Sequence, residues 1–417
     1  MPAPALAYLG LGANLGERET SLREALARLR PLGRVGSVSP LYETEPWGVG
    51  PQPRFLNAVA RLETALGPRE LLARLKGIER VMGRTPREPG EPRVIDLDLL
   101  LHGEAVLDEP DLVVPHPRLH LRAFVLVPLA DLAADLVVPR LGRPVRDLLA
   151  ALPEGERAGV RLVAREWTGL AVETFADADA LAEAAAERFC ARVAARPDLV
   201  AALPTGRTPD PLYARLRARA AAGRLDASRV RVVGLDEYVG VGRDDPRSFA
   251  HELRGELLDA LGVPPERRLA FDGAAADLEA EVRRVSAALA AWGGIDLCLL
   301  GLGPNGHVAF NEPGAPPSAP ARVVRLAEET RRRNFPGDPA APTHALTLGL
   351  AEILGAAEVW LLVSGRDKRE TLRAVLEGPA TPAVPASWLR DHPCAAVLAD
   401  REAADSTTRG ARPRRLR

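Results

Sequence analysis

The sequence predicts two domains of different class: a small α+β unit, then a larger α/β unit on a doubly wound, mostly parallel sheet. Three observations predict this. A chain of 417 residues is too long for one ordinary core. Its first 150 residues read as a few long elements in the order βαβαβ with short ones after. Past a polar break at 150–170, strands alternate regularly with helices, which is the pattern of a parallel sheet. The boundary is placed near Thr168, giving domains 1–167 and 168–405 and a disordered tail at 406–417.

The elements follow from local patterning. "LAYLGLGANLG" is a strand entering a glycine turn, and "ETSLREALARL" is a helix by the spacing of Leu22, Leu26 and Leu29. "QPRFLNAVARLET" alternates as a strand. "PRELLARLKGIERVMGR" is an amphipathic helix with proline near its start, and "RVIDLDLLLHG" is a strand. Beyond the break, "DADALAEAAAERFCARVAAR", "PDPLYARLRARAAAG" and "KRETLRAVLEG" read as helices. "DLVAAL", "RVRVVGL", "IDLCLLGLG" and "EVWLLVSG" read as strands. No repeat of solenoid length is present.

Composition excludes several classes. A net charge of -1 argues against bulk nucleic-acid binding. Cys190, Cys298 and Cys394 have no C-x-x-C spacing, which argues against a disulfide framework or zinc site and suits a reducing cytoplasm. No apolar run reaches membrane-span length, and the N-terminus lacks a basic signal region. Only two lysines occur, Lys76 and Lys368, in a chain that otherwise uses arginine.

In "VIDLDLL", Asp96 and Asp98 fall on one strand face, with Ile95, Leu97 and Leu99 on the other. Two adjacent anions call for a cation, and magnesium takes carboxylates together with substrate phosphates. An amphipathic edge strand facing water reads equally well from this motif alone. Arg84 and Arg93 flank the proline- and glycine-rich "RTPREPGEPR", and guanidinium forks suit phosphate oxygens. Neither lysine sits in a Walker A motif.

The series "GLGANLG", "SPLYETEPWG", "FLNAVARLET", "IERVMGR", "RVIDLDLLLHG" and "VPHPRLHLRAFVLVPL" resembles 6-hydroxymethyl-7,8-dihydropterin pyrophosphokinase. The resemblance implies a ferredoxin-like sheet with helices and transfer of the terminal diphosphate of ATP to a pterin hydroxymethyl. It implies that Asp96 and Asp98 hold Mg2+, and that Glu79, Arg84, Arg93 and His116 serve ATP. Thr44, Phe55, Asn57 and Phe124 would then hold the pterin.

"GLGPNGHVAFNEPG" satisfies G-x-G-x-x-G, the dinucleotide fingerprint, but that motif must open a helix. Pro313, Pro316, Pro317 and Pro320 fall where the helix would run, and proline in a helix interior costs about 3 kcal/mol. Two other strand ends point to the same edge: "LPTGRTP", a phosphate cradle at a helix start, and "LDEYVG". Lys368, at a further strand-to-helix turn, adds a compact positive charge.

These stretches, with "HALTLGLAEILGAAEVWLLVSG", resemble glucosamine-6-phosphate deaminase, whose fold is shared with 6-phosphogluconolactonase. The resemblance implies that His307 moves the ring-opening proton, that Glu312 polarises it, and that Asp236 carries a proton between neighbouring carbons. It adds Asn305 to the relay and assigns Thr205, Gly206, Arg207, Thr208 and Lys368 to the sugar phosphate; for the family's phosphate arginine, Arg332 and Arg333 are the two candidates. No cofactor is implied for this domain.

The expectation is a cytoplasmic bifunctional enzyme acting on small molecules, with neither nucleic acid nor membrane as partner and a homo-oligomer left open. Three alternatives remain for the second domain: a lactonase, another sugar-phosphate isomerase, or a non-catalytic phosphosugar-binding domain.

Overall fold

The computed structural model describes residues 4–84, 91–165 and 167–404. Most of the expected arginine-bearing loop, 85–90, and the expected tail therefore lie outside the described residues. The chain divides into two compact units between Thr168 and Gly169. No helix among the described residues is long and apolar enough to cross a membrane.

The first unit is a sheet of six strands: β1 (Ala5–Ala13), β2 (Arg34–Val38), β3 (Leu41–Thr44), β4 (Phe55–Thr64), β5 (Asp96–His102) and β6 (Arg161–Ala164). Its main path runs β6-β3-β4-β1-β5, with β2 pairing β4, and every pairing is antiparallel. The sequence reading lacked β2 and β3. Both are short, sit either side of Pro40, and show little alternation of burial. Helices α1 (Arg18–Leu29) and α2 (Pro68–Val81) cover one face through Leu22, Leu26, Leu29, Leu71 and Leu75. Helix α3 (Ala123–Ala133) covers part of the other, where Tyr8 meets Val125, Leu126 and Leu129.

Strand alternation prepares the first site. Residues 7, 9 and 11 of β1 point into the helical core, so Gly10 and Gly12 point to the opposite face. Register pairs Gly12 with Asn57 on one side and Asp96 on the other, and Gly10 with Val59 and Asp98. The missing side chains leave floor space; a Cβ on Gly12 would stand 3.2 Å from Asn57 Oδ1.

The second unit carries a parallel sheet with strands β7 (Ala171–Phe175), β8 (Val200–Leu203), β9 (Arg231–Gly234), β11 (Arg268–Leu269), β12 (Leu297–Gly301), β15 (Glu358–Val363) and β16 (Ala395–Asp400). The order is β7-β16-β15-β12-β8-β9-β11. From β8 the chain builds outward through β9 and β11, then returns to β12 on the other side of β8. That reversal is the switch point at which open α/β sheets bind ligands. A separate antiparallel sheet pairs β10 (Asp236–Tyr238) and β13 (Arg322–Arg325) with β14 (His344–Thr347) between them. The sequence reading did not separate this small sheet from the main one. Past Gly306 no helix forms until α7 (Glu328–Asn334), in keeping with the prolines of that stretch.

Candidate active sites

The first unit encloses a cavity of about 900 Å³. Thr44, Phe55, Asn57, Arg84, Arg93, Asp96, Asp98, His116 and Phe124 all line it, so nearly every residue assigned to that domain meets there. Asn57 Nδ2 donates to Thr44 Oγ1 at 2.8 Å, which fixes the amide orientation. Glu79 is the exception. It lies buried behind the wall, accepting from the Leu97 amide at 2.7 Å, Lys76 Nζ at 2.8 Å and Arg84 Nη1 at 2.5 Å.

Asp96 accepts from Arg84 at 2.5 Å and from Arg93 at 2.9 Å. Arg93 is itself placed by Asn14, whose Oδ1 takes its backbone N–H at 2.7 Å. Burial pushes the Asp96 carboxyl up, but Arg93, Arg84 and Lys76 outweigh it and hold it below the usual range. Asp98 moves the other way, raised by burial and by Asp96. His116 is kept neutral: burial and the charges of Arg122 and Arg118 lower it to about 4.

Two residues escaped the sequence reading. Arg122 lies 3.4 Å from Asp98 Oδ2 and over the rings of both Trp47 and Phe124, at 5.6 and 5.5 Å from their centres. Trp47 stands edge-on to Phe124 with ring centres 6.3 Å apart. "EPW" and "LRAF" carried both in plain view, but neither spacing alone identifies them. The Nε donors of Arg93 and Arg122 are buried and have no hydrogen-bond partner among the described residues, as suits incoming phosphate oxygens. The acid pair fits a hard cation. Among the described residues no group of three or more His, Cys, Asp or Glu is placed to hold a metal ion, so phosphates and water would have to complete the shell of a cation there.

In the second unit the glycine loop is shaped around an imidazole. The Gly303 amide donates to the His307 carbonyl at 2.9 Å, and a Cβ on Gly303 would stand 2.3 Å from His307 Nε2. Gly306 adopts φ 82°, where glycine is favoured. Glu312 Oε2 lies 3.3 Å from His307 Nδ1. Asn305 Nδ2 donates to the same carboxylate at 2.8 Å and Thr330 Oγ1 at 2.6 Å. Burial raises the Glu312 carboxyl, but His307, Thr330 and Asn305 outweigh it and bring it to about 2.

Three bonds draw the other strand ends to this loop. Asp236 pairs in register with Thr347, whose Oγ1 accepts the Phe310 amide at 3.2 Å. Thr371, on helix α8 (Arg369–Glu377) just after Lys368, donates to the Pro304 carbonyl at 2.7 Å. Asn311, fully buried, donates to Val308 and Leu348 carbonyls at 3.1 and 2.9 Å, tying the loop to the end of β14. Asn311 and Thr330 are positioning residues that the sequence reading passed over.

Within "DEY" the two acids divide. Glu237 is buried and accepts from Ser248 Oγ at 2.6 Å and from the Phe249 and Ala250 amides at 3.2 and 3.1 Å, so it caps a short helix. Among the described residues no cation acts on Asp236. Burial, then Glu237 and Glu252, push its carboxyl up to about 8.

Lys368 is 9 % exposed, makes no hydrogen bond or ion pair among the described residues, and is lowered by burial and by Arg333. Of the two extra arginines, Arg332 is turned back onto Glu328, whereas Arg333 reaches the Lys368 turn, 3.7 Å from Asp367. Thr205 to Thr208 lie between β8 and helix α5 (Asp210–Ala221), with the side chain of Arg207 exposed.

Comparisons with known proteins agree with this division. Residues 8–134 match 7,8-dihydro-6-hydroxymethylpterin-pyrophosphokinase, and residues 176–398 match the family of glucosamine-6-phosphate isomerases and 6-phosphogluconolactonase. Curated relatives include glucosamine-6-phosphate deaminases of Shouchella clausii, 40 % identical over 55 % of this chain and 95 % of that protein, and of Streptomyces coelicolor, 39 % identical over 55 % and 89 %. A solved monomeric glucosamine-6-phosphate deaminase is 37 % identical, covers 56 % of this chain and 99 % of its own, and superposes with a TM-score of 0.55. The chain belongs to the glucosamine-6-phosphate isomerase and 6-phosphogluconolactonase family through its second unit, and carries a pterin pyrophosphokinase domain before it.

Proposed function

We propose that this member of the family is a bifunctional enzyme. Its first domain transfers diphosphate from ATP to 6-hydroxymethyl-7,8-dihydropterin, and its second converts glucosamine 6-phosphate to fructose 6-phosphate and ammonia. One observation carries the second assignment: an uncompensated, partly accessible Asp236 faces the same sheet edge as a His307–Glu312 pair and an unpaired Lys368.

In the first domain the pterin lies between Phe55 and Phe124, read by Asn57. Arg84, Arg93 and Arg122 meet the phosphates of ATP. Asp96 and Asp98 would hold magnesium, which supplies charge stabilisation to the transferring diphosphate. The arginines now on Asp96 are long enough to trade that carboxylate for phosphate oxygens as the nucleotide enters.

In the second domain the phosphate is held by Lys368, Arg333 and the turn Thr205–Thr208. His307 moves the ring-opening proton between the anomeric hydroxyl and the ring oxygen, and Glu312 stabilises the charged imidazole. Asp236 takes the proton from C2 and returns it to C1. The carbon–nitrogen double bond left at C2 adds water and loses ammonia. A carboxyl raised by burial is a stronger base than a solvated one, and the cost is that it must first be deprotonated. Gly303 lets substrate and backbone approach closely.

Ammonia release from glucosamine 6-phosphate by the purified chain tests the second activity, with Asp236→Asn as control. AMP formation from ATP with the dihydropterin tests the first. Ammonia release lost in the variant alone is the expected result; no release from chain with intact pterin kinase activity overturns the deaminase assignment.

A further inference from the structure

The phosphate cradle of the second domain holds an anion of its own. Glu252 Oε1 accepts the Gly206 backbone N–H at 2.9 Å. The amides of Arg207 and Thr208 have no partner among the described residues. Glu252 comes from the short helix Phe249–Leu253, whose start is fixed by Ser248 and Glu237. The side chain is therefore anchored at its base, and its tip is held by the Gly206 N–H.

We propose that Glu252 is a built-in competitor for the phosphate group of the substrate: it occupies the Gly206 N–H and must leave, or take up a proton, before a phosphate ester can use the cradle. The proposal rests on the reading of Thr205–Thr208 as the phosphate site. A carboxylate and a phosphate oxygen are both anionic acceptors for one donor, so the two cannot share it.

The surroundings favour release. Asp236 on β10, Asp210 in the first turn of α5 and Glu256 one turn further along its own segment are all acidic and near. Burial raises the Glu252 carboxyl, the Gly206 amide opposes this, and Asp210 and Glu256 add to the rise. Tyr213 and Tyr238 also face this carboxylate, Arg207 and Arg217 act on Asp210, and Arg217 is paired with Glu256 at 3.2 Å. An incoming phosphate brings further negative charge, which strengthens the drive to protonate or expel Glu252.

The consequence is that Glu252, once ionised, opposes phosphate binding at the Gly206 N–H. A phosphate ester gains its second charge around pH 6, which by itself strengthens binding above that pH. Glu252 works against that gain, and a neutral residue in its place leaves only the gain.

The test uses the full-length chain and inorganic phosphate as competitive inhibitor of glucosamine 6-phosphate turnover, from pH 6 to pH 9. Variants are Glu252→Gln and Glu252→Ala, with pterin kinase activity and the thermal transition as checks on folding. Freeing the Gly206 N–H from a charged acceptor predicts inhibition roughly tenfold tighter in both variants at pH 9, where the parent carboxylate is ionised. KM for the aminosugar phosphate falls in parallel. Equal inhibition of all three proteins across the range overturns the role of Glu252 while keeping the phosphate site. No competition by phosphate in any of them overturns the cradle reading and the proposal together.

Discussion

The two sites use the same residue in opposite electrostatic settings. Asp96 lies within hydrogen-bond reach of two guanidiniums and is held below the usual carboxylate range after burial has pushed it up. Asp236 is raised to about 8 by burial, then by the carboxylates of Glu237 and Glu252. The first arrangement stores cations that a polyphosphate can claim, which suits charge neutralisation. The second leaves an acid poised to gain or lose a proton near neutrality, which suits the proposed proton transfer. A fused chain thus offers an internal control, since each domain reports on the integrity of the other.

The largest expected effects test that independence. Asp236→Asn should lower ammonia release by about 10³-fold, within the usual range for loss of a general base. AMP formation should be unchanged. Asp96→Asn should do the reverse, lowering diphosphate transfer by about 10²–10³-fold, equivalent to several kcal/mol of lost charge stabilisation. Assaying both reactions on both variants decides the matter. If either substitution depresses the two activities together, the domains are coupled and the comparison breaks.

Gly303→Ala probes the proton-transfer site without removing a functional group. The added methyl collides with the His307 ring, 2.3 Å from Nε2, so the imidazole must shift. Misplacement on the scale of 1 Å costs about 10²-fold in turnover. The kinase activity and the thermal transition of the first domain should stay put. Retained deaminase turnover would show that the imidazole has slack and is not positioned by this contact.

The pH dependence of stability should differ in sign. The folded Asp236 carboxyl is raised from 3.8 to about 8, so the folded chain binds a proton more tightly than the unfolded chain. Stability from this group is greatest below about pH 4 and declines as pH climbs toward 8. Asp236→Asn should therefore raise the Tm of the second domain at pH 8, with the gain vanishing near pH 4. For Asp96, burial acts upward but the neighbouring Arg93, Arg84 and Lys76 leave the folded carboxyl lowered, so its contribution is present above the unfolded pKa and lost as pH falls. Asp96→Asn should lower the Tm of the first domain at pH 8. Calorimetry of the two variants, read domain by domain, checks both signs; equal shifts in one direction would refute the contrast.

What the sequence made legible follows the same division. Long elements with strong periodicity were readable, as was the edge where Thr205, Asp236, His307 and Lys368 gather, because parallel strands impose a common end. The acid pair was readable because strand alternation is strict. Strands β2 and β3 were hidden by brevity, and the small sheet of β10, β13 and β14 by its insertion between elements of the main one. Residues acting through another side chain were least visible. Asn311 sits inside a quoted motif, yet its bond to the Leu348 carbonyl spans 37 positions. Glu252 lies in an unremarkable helix, and nothing in "FAHEL" predicts that its carboxylate meets Gly206.

Thr330 belongs to that last class and gives the smallest expected effect. Its hydroxyl donates to Glu312 Oε1 at 2.6 Å from helix α7, which also carries Arg333 toward Lys368. Thr330→Val keeps the shape and removes the donor. The Glu312 carboxylate then loses one of the groups that hold it low and loses an orienting contact. A hydrogen bond to a charged group predicts about a tenfold loss in kcat. KM should hold, because Thr330 does not reach the phosphate. The pH profile separates orientation from packing: Thr330→Val should move the limb governed by Glu312 upward, whereas Thr330→Ser, which restores the donor, should return it. A loss in kcat that Thr330→Ser fails to recover would assign the residue to packing of α7 and remove it from the His307–Glu312 relay.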